Sequence, residues 1–301
     1  MEKTLVVITG PTGSGKTSLA IEVAKATGTE IISADSRQIF KEIPIGTAAP
    51  SEEERAAVPH YFVATHSLTD YYSAADFESD VISLLERKWR EHDVMVMAGG
   101  SMMYVDAVIN GIDDLPAISD ENRRRAMAVY EDGGLQQLRL DVLELDPEYY
   151  RQVDLNNHKR LIHALEIMYE SGKKYSELRT GQSRKRNFRV LKFALNLPRE
   201  VLFDRINRRV DAMIDAGLEA EARAVYDMRH LNSLNTVGYK EMFEYFDGKM
   251  DRATAIARIC KNTRVYAKKQ LTWLKKDDSV IWLNPENAME EVLRRLCAEK
   301  G

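Results

Sequence analysis

The chain has 301 residues, of which 44% are hydrophobic and 30% charged, and a formal net charge of −4. This balance is typical of a water-soluble globular protein with one large or two modest domains. No apolar run approaches the roughly 20 residues that a membrane-spanning helix needs, and the first predicted strand begins too soon after Met1 for a secretion signal. Two widely separated cysteines and six scattered histidines argue against a disulfide framework and structural zinc. We therefore expect a cytoplasmic protein without membrane contact.

The first feature in chain order is a phosphate-binding loop. An apolar β-branched run, Leu5 to Thr9, predicts a strand, and residues 18–24 predict a helix; between them stands Gly-x-x-x-x-Gly-Lys-Thr, so the context is that of a P-loop. Its glycines allow consecutive N–H groups to surround a phosphate, next to the positive end of the helix. Lys16 offers a cation and Thr17 a hydroxyl suited to Mg²⁺. The predicted phosphate-binding residues are Gly10, Pro11, Thr12, Gly13, Ser14, Gly15, Lys16 and Thr17.

Two further strands are predicted to end beside this loop. Residues 30–34 predict a buried strand that is followed by Asp35, and residues 94–98 predict a third strand that is followed by Gly99-Gly100-Ser101. Ligands of open parallel sheets bind at the carboxyl ends of the strands, so we expect Asp35 to lie near the P-loop. The third strand lacks the Asp with which motor-type NTPases hold Mg²⁺, and the chain lacks a guanine-specifying Asn-Lys-x-Asp. Both absences argue against ATP or GTP hydrolysis.

The middle of the chain is predicted to be helical only. A proline-punctuated stretch, residues 43–50, is predicted as an irregular loop, and residues 73–91 as an amphipathic helix. From Ser119 onward the predicted elements are helices alone, at residues 123–130, 135–143, 147–152 and 158–170. A helical block between α/β segments indicates an insertion. We therefore predict an α/β core in residues 1–114 and 188–301 and a helical insertion in residues 115–187.

The last third returns to α/β character and is rich in cations. A strand is predicted at residues 189–195, followed by a long helix with Arg205, Arg208 and Arg209, and a strongly amphipathic helix is predicted at residues 251–276. The segment 159–192 carries a net charge of +7 and the segment 252–276 one of +8. Such stretches can follow a polyanion although the whole chain is acidic. Solvated helix faces are the alternative.

This ordered set of motifs resembles the tRNA isopentenyltransferase family from the P-loop to about Trp282. The matching stretches are residues 10–17, Asp35-Ser36-x-Gln38, and residues 45–48, 72–77, 99–101, 237–239 and 268–274. The resemblance implies a P-loop NTPase-like parallel sheet flanked by helices, with an inserted all-helical tRNA-binding domain. It also implies transfer of a dimethylallyl group from dimethylallyl diphosphate to the N6 amine of the adenosine immediately 3′ of the anticodon, in tRNAs that read codons beginning with U. Mg²⁺, the anticodon stem-loop of tRNA and a monomeric state follow from the same resemblance.

The resemblance also assigns site residues. It implies Asp35 as general base, with Ser101 and Lys16 as further catalytic residues. The implied tRNA-contacting residues are Asp35, Ser36, Arg37, Gln38, Ser101, Arg123, Lys159, Arg160, Leu161, Ile162, His163, Val237, Gly238, Tyr239 and Lys240. Three positions depart from the family pattern: Ser101 stands where Thr is usual, His163 where the second Arg of a basic motif is usual, and Phe40 where Tyr is usual.

Three alternatives remain at the level of sequence. In a small-molecule kinase of the nucleotide or shikimate type, Arg205, Arg208 and Arg209 would close over ATP, and the basic helices would have no assigned role. A prenyltransferase acting on free AMP would need no RNA-binding surface. A non-catalytic RNA-binding protein would carry a vestigial P-loop, against which stand the intact Lys16, Thr17 and Asp35.

Overall fold

A computed structural model describes residues 2–113, 115–181 and 183–298. The chain divides into two compact units. Met1–Ile109 and Lys185–Gly301 form the first, which we call the core unit, and Asn110–Arg184 form the second, which we call the helical unit. Among the described residues, no helix is both long and apolar enough to span a bilayer.

The core unit is built on one parallel β-sheet. Its six strands are β1 (Thr4–Thr9), β2 (Ile31–Ser33), β3 (His60–Tyr61), β4 (Val94–Ala98), β5 (Arg189–Leu195) and β6 (Val280–Leu283). The spatial order is β3-β2-β4-β1-β5-β6, and every pairing is parallel. The predicted α/β class is confirmed, and the predicted bounds of β4 and β5 match the structure.

The described residues form fourteen α-helices. In chain order these are α1 (Lys16–Thr27), α2 (Pro44–Thr47), α3 (Glu52–Ala57), α4 (Ala74–Lys88), α5 (Met102–Asn110), α6 (Asp120–Leu145), α7 (Pro147–Gln152), α8 (His158–Ser171), α9 (Tyr175–Leu178), α10 (Arg199–Asp215), α11 (Leu218–Ala224), α12 (Tyr239–Phe246), α13 (Arg252–Leu274) and α14 (Ala288–Cys297). Two short 3₁₀ helices, Tyr226–Met228 and Asn232–Leu234, precede α12.

Helices cover both faces of the sheet because the central strands are apolar on both faces. All six residues of β1 are buried. Val6 and Ile8 belong to a buried cluster with residues of α1 and α14, whereas Leu5 and Val7 belong to a second cluster with residues of α4 and α5. This alternation follows from the period of two in a strand. The sheet is thus the middle layer of three.

The register brings the carboxyl ends of the strands together. Ala98 of β4 pairs with both Ile8 of β1 and Ser33 of β2, and Ile8 also pairs with Phe193 of β5. The segments that follow β1, β2 and β4 therefore leave the sheet side by side. They are the P-loop, the turn containing Asp35 and the Gly99–Ser101 turn.

The prediction of an irregular loop at residues 43–50 is wrong for Pro44–Thr47, which form α2. The carboxylate of Glu221, on α11, accepts hydrogen bonds from the N–H groups of Ile45 and Gly46 at 2.8 Å each. These N–H groups belong to the first turn of α2 and have no partner within it. A residue distant in sequence thus supplies the cap that this short helix lacks locally.

The helical unit has an apolar core of its own. Buried Leu138 and Val142 of α6 pack with Leu161 and Leu165 of α8. Helices were predicted at residues 123–130 and 135–143, and α6 indeed consists of two helical segments that meet at a kink at Gly134, whose φ of 64° and ψ of −160° are not helical. Glycine tolerates this conformation, so Gly134 can separate the two segments.

Candidate active site

A cavity of about 380 Å³ opens at the carboxyl edge of the sheet in the core unit. Segments following β1, β2 and β4 line it, together with α10, α13 and the turn before α12. Its polar and charged lining residues include Thr12, Lys16, Thr17, Asp35, Ser36, Arg37, Gln38, Ser101, Arg209, Lys240, Tyr266 and Gln270. Asp35 thus lines the same cavity as the P-loop residue Lys16, as expected from its position at the carboxyl end of a parallel strand.

The P-loop combines a glycine with positive φ and a buried hydroxyl without a partner. Gly13 has a φ of 81°, and a Cβ at this position would lie 3.0 Å from Cγ1 of Ile206, so a larger residue would be strained in conformation and crowded in space. The hydroxyl of Ser14 is buried and has no hydrogen-bond partner in the described structure. Burying an unpaired polar group costs about 1–3 kcal/mol. Both observations fit a loop shaped around a polar ligand.

Two cations of the cavity repel each other. Nζ of Lys16 donates to the carbonyl of Pro11 at 2.9 Å. Burial and the neighbouring Arg209 lower the pKa of Lys16 to about 8, although Asp35 acts in the opposite direction. Burial also lowers the pKa of Arg209, whereas the charge of Asp35 raises it. One carboxylate beside two cations leaves positive charge that a bound anion would neutralise.

Of the three α10 arginines that the sequence analysis named, Arg205, Arg208 and Arg209, only Arg209 lines the cavity. It donates to the carbonyl of Thr47 at 3.3 Å. Arg205 reaches the carbonyl of Ser14 at 3.4 Å, on the P-loop backbone. Arg208 is 79% exposed and pairs with Asp204 at 2.7 Å. The helical period accounts for this, because Arg208 and Arg209 point about 100° apart.

Asp35 is held by the turn that follows β2. Its Oδ1 accepts hydrogen bonds from the N–H groups of Arg37 at 2.9 Å and Gln38 at 3.3 Å. No described side chain donates to Oδ2. One carboxylate oxygen thus shapes the turn, and the second is available to a substrate.

Ser101 connects this turn to the end of β4. Its Oγ accepts the N–H of Ser36 at 2.8 Å and donates to Oγ of Ser36 at 3.1 Å. The N–H of Ser101 donates to the carbonyl of Ala34 at 3.2 Å. The serine hydroxyl is sufficient for these contacts, so the absence of a threonine methyl at this position removes none of them.

The side chain of Gln38 is fully engaged with the protein. Its Nε2 donates to the carbonyls of Thr47 at 3.2 Å and Ala48 at 3.0 Å, and its Oε1 accepts from Oγ of Ser33 at 3.2 Å. In this arrangement Gln38 fastens the end of α2 to the end of β2. It lines the cavity as a structural brace.

Gln270 is a site residue to which the sequence analysis assigned no role. It is 2% exposed on α13, its Oε1 accepts the N–H of Thr12 at 2.9 Å, and its Nε2 donates to the carbonyl of Gly100 at 2.9 Å. A Cβ on Gly100 would lie 2.5 Å from that Nε2, so the glycine makes room for the amide. Gln270 therefore joins the P-loop to the turn after β4. The motif at residues 268–274 contained it, but a hydrogen bond across the fold leaves no local pattern.

The structure corrects the expected role of Tyr239. Its side chain is fully buried, and its hydroxyl donates to the Glu221 carboxylate and to the carbonyl of Ile43 at 3.3 Å. Burial and Glu221 raise the pKa of Tyr239. A side chain enclosed in this way is unavailable to tRNA, whereas its neighbours Val237, Gly238 and Lys240 line the cavity.

The remaining predicted tRNA contacts lie in the helical unit. Lys159, Arg160 and His163 are exposed on α8, and Arg123 is partly exposed on α6. Leu161 is 0% exposed and Ile162 7% exposed, because both pack in the core of that unit. The prediction that these two side chains contact tRNA is corrected, since they stabilise the helix that presents the basic residues.

Comparisons with known proteins identify relatives of this chain. The family model for IPP transferase matches residues 38–277. A protein of Phocaeicola vulgatus named tRNA dimethylallyltransferase 1 is 52% identical over 290 residues, which cover 96% of this chain and 97% of that protein. A protein of Bacteroides fragilis with the same name is 53% identical over 288 residues, covering 96% of each chain.

Solved structures give the same result. The full-length tRNA isopentenylpyrophosphate transferase of Bacillus halodurans superposes with a TM-score of 0.70 at 33% identity, over 99% of this chain and 96% of that one. A eukaryotic dimethylallyltransferase acting on tRNA shares the fold, with a TM-score of 0.77 at 24% identity, over 97% of this chain and 78% of that one. The kinase alternative finds no support among these relatives. With identity above one half along nearly its whole length, the chain belongs to the IPP transferase family, whose members include the tRNA dimethylallyltransferases.

Proposed function

We propose that this protein transfers the dimethylallyl group of dimethylallyl diphosphate to the N6 amine of the adenosine immediately 3′ of the anticodon, in tRNAs that read codons beginning with U. The observation that carries the proposal is the meeting of Asp35, Lys16 and Arg209 in one cavity. A cationic cradle for a leaving diphosphate and a free carboxylate oxygen for an incoming amine are what an alkyl transfer requires. Membership of the family and the names of the relatives support the same reaction.

The cationic side of the cavity suits the leaving group. As the bond between C1 of the dimethylallyl group and the diphosphate oxygen breaks, the electron pair stays with the diphosphate. The P-loop amides, Lys16 and Arg209 are placed to stabilise that growing charge. Preorganised charges of this kind are usually the largest contribution to catalysis. Burial and the charge of Arg209 lower the pKa of Lys16 because they disfavour its ammonium form, and a bound diphosphate would favour that form.

The carboxylate side suits the nucleophile. The lone pair of an adenine amine is delocalised into the ring, so the amine needs orientation and a proton acceptor. As N6 forms its bond to C1, the carboxylate of Asp35 takes the N6 proton, which is general-base catalysis. The bonds from Arg37 and Gln38 to Oδ1 hold the carboxylate in place. Ser101 and Ser36 stabilise the turn on which it stands.

We propose that Mg²⁺ binds together with the diphosphate. The hydroxyl of Thr17 lines the cavity, and hydroxyl and phosphate oxygens are ligands that Mg²⁺ prefers. Within residues 2–113, 115–181 and 183–298 no cluster of three or more His, Cys, Asp or Glu side chains is arranged to hold a metal. A single protein hydroxyl together with diphosphate oxygens would suit an ion that arrives with the diphosphate and neutralises part of its charge.

Recognition of the anticodon stem-loop is assigned to the helical unit. Lys159 and Arg160 are exposed cations on α8, suited to phosphate contacts that position an RNA. His163 lies beside Glu166, with Nδ1 and Oε2 3.3 Å apart, so it is a weaker candidate than an arginine would be. The target base would have to leave the stack and enter the cavity, which costs a few kcal/mol. We propose that the protein acts as a cytoplasmic monomer.

One experiment tests the reaction. Unmodified tRNA is incubated with the protein, dimethylallyl diphosphate and Mg²⁺, then digested to nucleosides and analysed by mass spectrometry. A dimethylallyl-adenosine that maps to the position 3′ of the anticodon is the expected product. Free AMP in place of tRNA should give none. ATP consumed in proportion to product, with dimethylallyl diphosphate unused, would refute the transferase and restore the kinase.

A further inference from the structure

One exposed face of α13 carries aromatic rings and a cation. Tyr266 is 41% exposed and Trp273 46% exposed, and Lys269 between them is exposed as well. At about 100° per residue, these three side chains fall within an arc of about 60° around the helix axis. We call Tyr266, Lys269 and Trp273 the α13 strip.

The indole of Trp273 is fixed although nearly half of the side chain is exposed. Its Nε1 donates to Oδ2 of Asp106 at 3.2 Å, and Oδ1 of Asp106 accepts from Nζ of Lys192 at 3.4 Å. Lys192 is 5% exposed and also bonded to Asp277 at 2.8 Å. Single exposed apolar residues need no explanation, but the ring of Trp273 is held by a hydrogen bond and stands about two helical turns from a second exposed aromatic residue, Tyr266.

The strip begins at the cavity. Tyr266 lines the cavity that contains Asp35. Burial and the charge of Asp35 raise the pKa of Tyr266 to about 12, so its ring stays neutral at physiological pH. A nucleotide whose amine reaches Asp35 would therefore have its chain neighbours near Tyr266. From there the strip leads away along α13.

The charge of α13 matches a polyanion. The segment 252–276 contains eight Lys or Arg residues and no Asp or Glu. Near its start, Arg252 pairs with Glu219 and Arg258 with Glu244. No described carboxylate forms an ion pair with Lys269. The carboxylate partners that the described residues supply to this helix thus lie near its start, and Lys269, between the two exposed rings, has none.

We propose that the α13 strip binds the unpaired nucleotides that flank the target adenosine, with bases stacked on Tyr266 and Trp273 and a phosphate on Lys269. This inference rests on the proposed function, since it takes the target nucleotide to occupy the cavity. Aromatic rings interleaved with cations bind single-stranded RNA in this manner, because every base has a face that stacks.

The test is binding of a fluorescent, unmodified anticodon stem-loop RNA, followed by anisotropy over a range of salt concentrations. Loss of one stacked base corresponds to roughly 5- to 150-fold weaker binding, so we expect that range for Trp273→Ala. Trp273→Phe keeps a ring face and should retain most of the affinity. Lys269→Ala should lower the salt slope by about one. Lys261→Ala is the matched control, because Lys261 is exposed on the same helix but about 140° around the axis from Tyr266.

The outcomes separate this inference from the proposed function. Thermal unfolding of each variant shows whether it is folded, and Lys269→Ala, at an exposed position, tests the strip even if Trp273→Ala is unstable. If the wild-type protein dimethylallylates tRNA but Trp273→Ala and Lys269→Ala bind the RNA as tightly as wild type, the strip is refuted and the function stands. If Trp273→Ala weakens binding to phosphatidylserine vesicles but not to the RNA, the strip binds a lipid surface and the inference is refuted. If wild type binds RNA through the strip but forms no product, the proposed reaction alone is refuted.

Discussion

The strongest test of the chemistry is Asp35→Asn. The backbone N–H groups of Arg37 and Gln38 donate to one carboxylate oxygen, and the oxygen of an asparagine amide can accept both. The turn after β2 should therefore persist, with at most about 1–2 kcal/mol of folding stability lost as charge-assisted bonds become neutral ones. An amide, however, does not accept the N6 proton. General-base losses are about 10²- to 10⁴-fold, which corresponds to ~2.7–5.4 kcal/mol in the activation barrier.

Removing this charge has a second consequence that distinguishes a base from a structural residue. Asp35 is the acidic neighbour of Lys16 and Arg209 and would repel a bound diphosphate. Its neutralisation should leave the affinity for dimethylallyl diphosphate at neutral pH unchanged or improved while turnover falls. Single-turnover transfer to tRNA, with saturating tRNA and varied dimethylallyl diphosphate, measures both quantities. Asp35→Ala, which leaves the two N–H groups without a partner, should also lower the melting temperature. Turnover within tenfold of wild type in Asp35→Asn would place the base elsewhere.

Three further predictions concern the diphosphate cradle. Gln270→Leu should raise KM for dimethylallyl diphosphate and lower kcat with RNA affinity unchanged, because the N–H of Thr12 loses the acceptor that orients it; a lower melting temperature with normal kinetics would make Gln270 merely structural. The pKa of Lys16 in the free protein is about 8, and a bound anion favours the charged form of this lysine. The affinity for dimethylallyl diphosphate should therefore fall as the pH rises above 8, and binding should take up a proton. Calorimetry at pH 8.5 in buffers of different ionisation heat measures this proton uptake, and an uptake of zero would contradict the prediction. Arg209→Ala should weaken dimethylallyl diphosphate binding by about tenfold or more, since a hydrogen bond to a charged group is worth about 1.5–3 kcal/mol; Arg208→Ala, at an exposed position, is the control and should bind as wild type.

Local patterns predicted the parts of the site that depend on local geometry. The apolar run Leu5 to Thr9 and the glycines after it predicted both the strand and the loop, because a buried parallel strand and a phosphate loop each impose a composition over a few adjacent residues. The placement of Asp35 beside Lys16 followed from a general property of parallel sheets. The same property could not supply the partner of each side chain at that edge.

Contacts between distant residues escaped prediction. Gln270 and Thr12 are 258 residues apart, and Glu221 and Ile45 are 176 residues apart. Neither pair leaves a periodic pattern in the sequence. The hydrogen bond from Thr12 to Gln270 and the cap that Glu221 provides for α2 were therefore visible only in the folded chain. Tyr239 was assigned to tRNA because it belongs to a motif of the family, yet its hydroxyl serves Glu221. A shared motif thus marks a structural position as readily as a contact with substrate.

Helix α13 unites two of these observations. Its Gln270 contacts the P-loop and the turn after β4, and the same helix carries the partly exposed rings of Trp273 and of Tyr266, which also lines the cavity. Gln270 lies between those two aromatic residues in sequence, so a rigid helix fixes the distance between the diphosphate cradle and the proposed RNA strip. Catalysis by positioning depends on such fixed distances, since a displacement of about 1 Å can cost 10²-fold in rate. A substitution on the strip should therefore weaken RNA binding without disturbing the cradle, whereas one at Gln270 should disturb the cradle without weakening RNA binding.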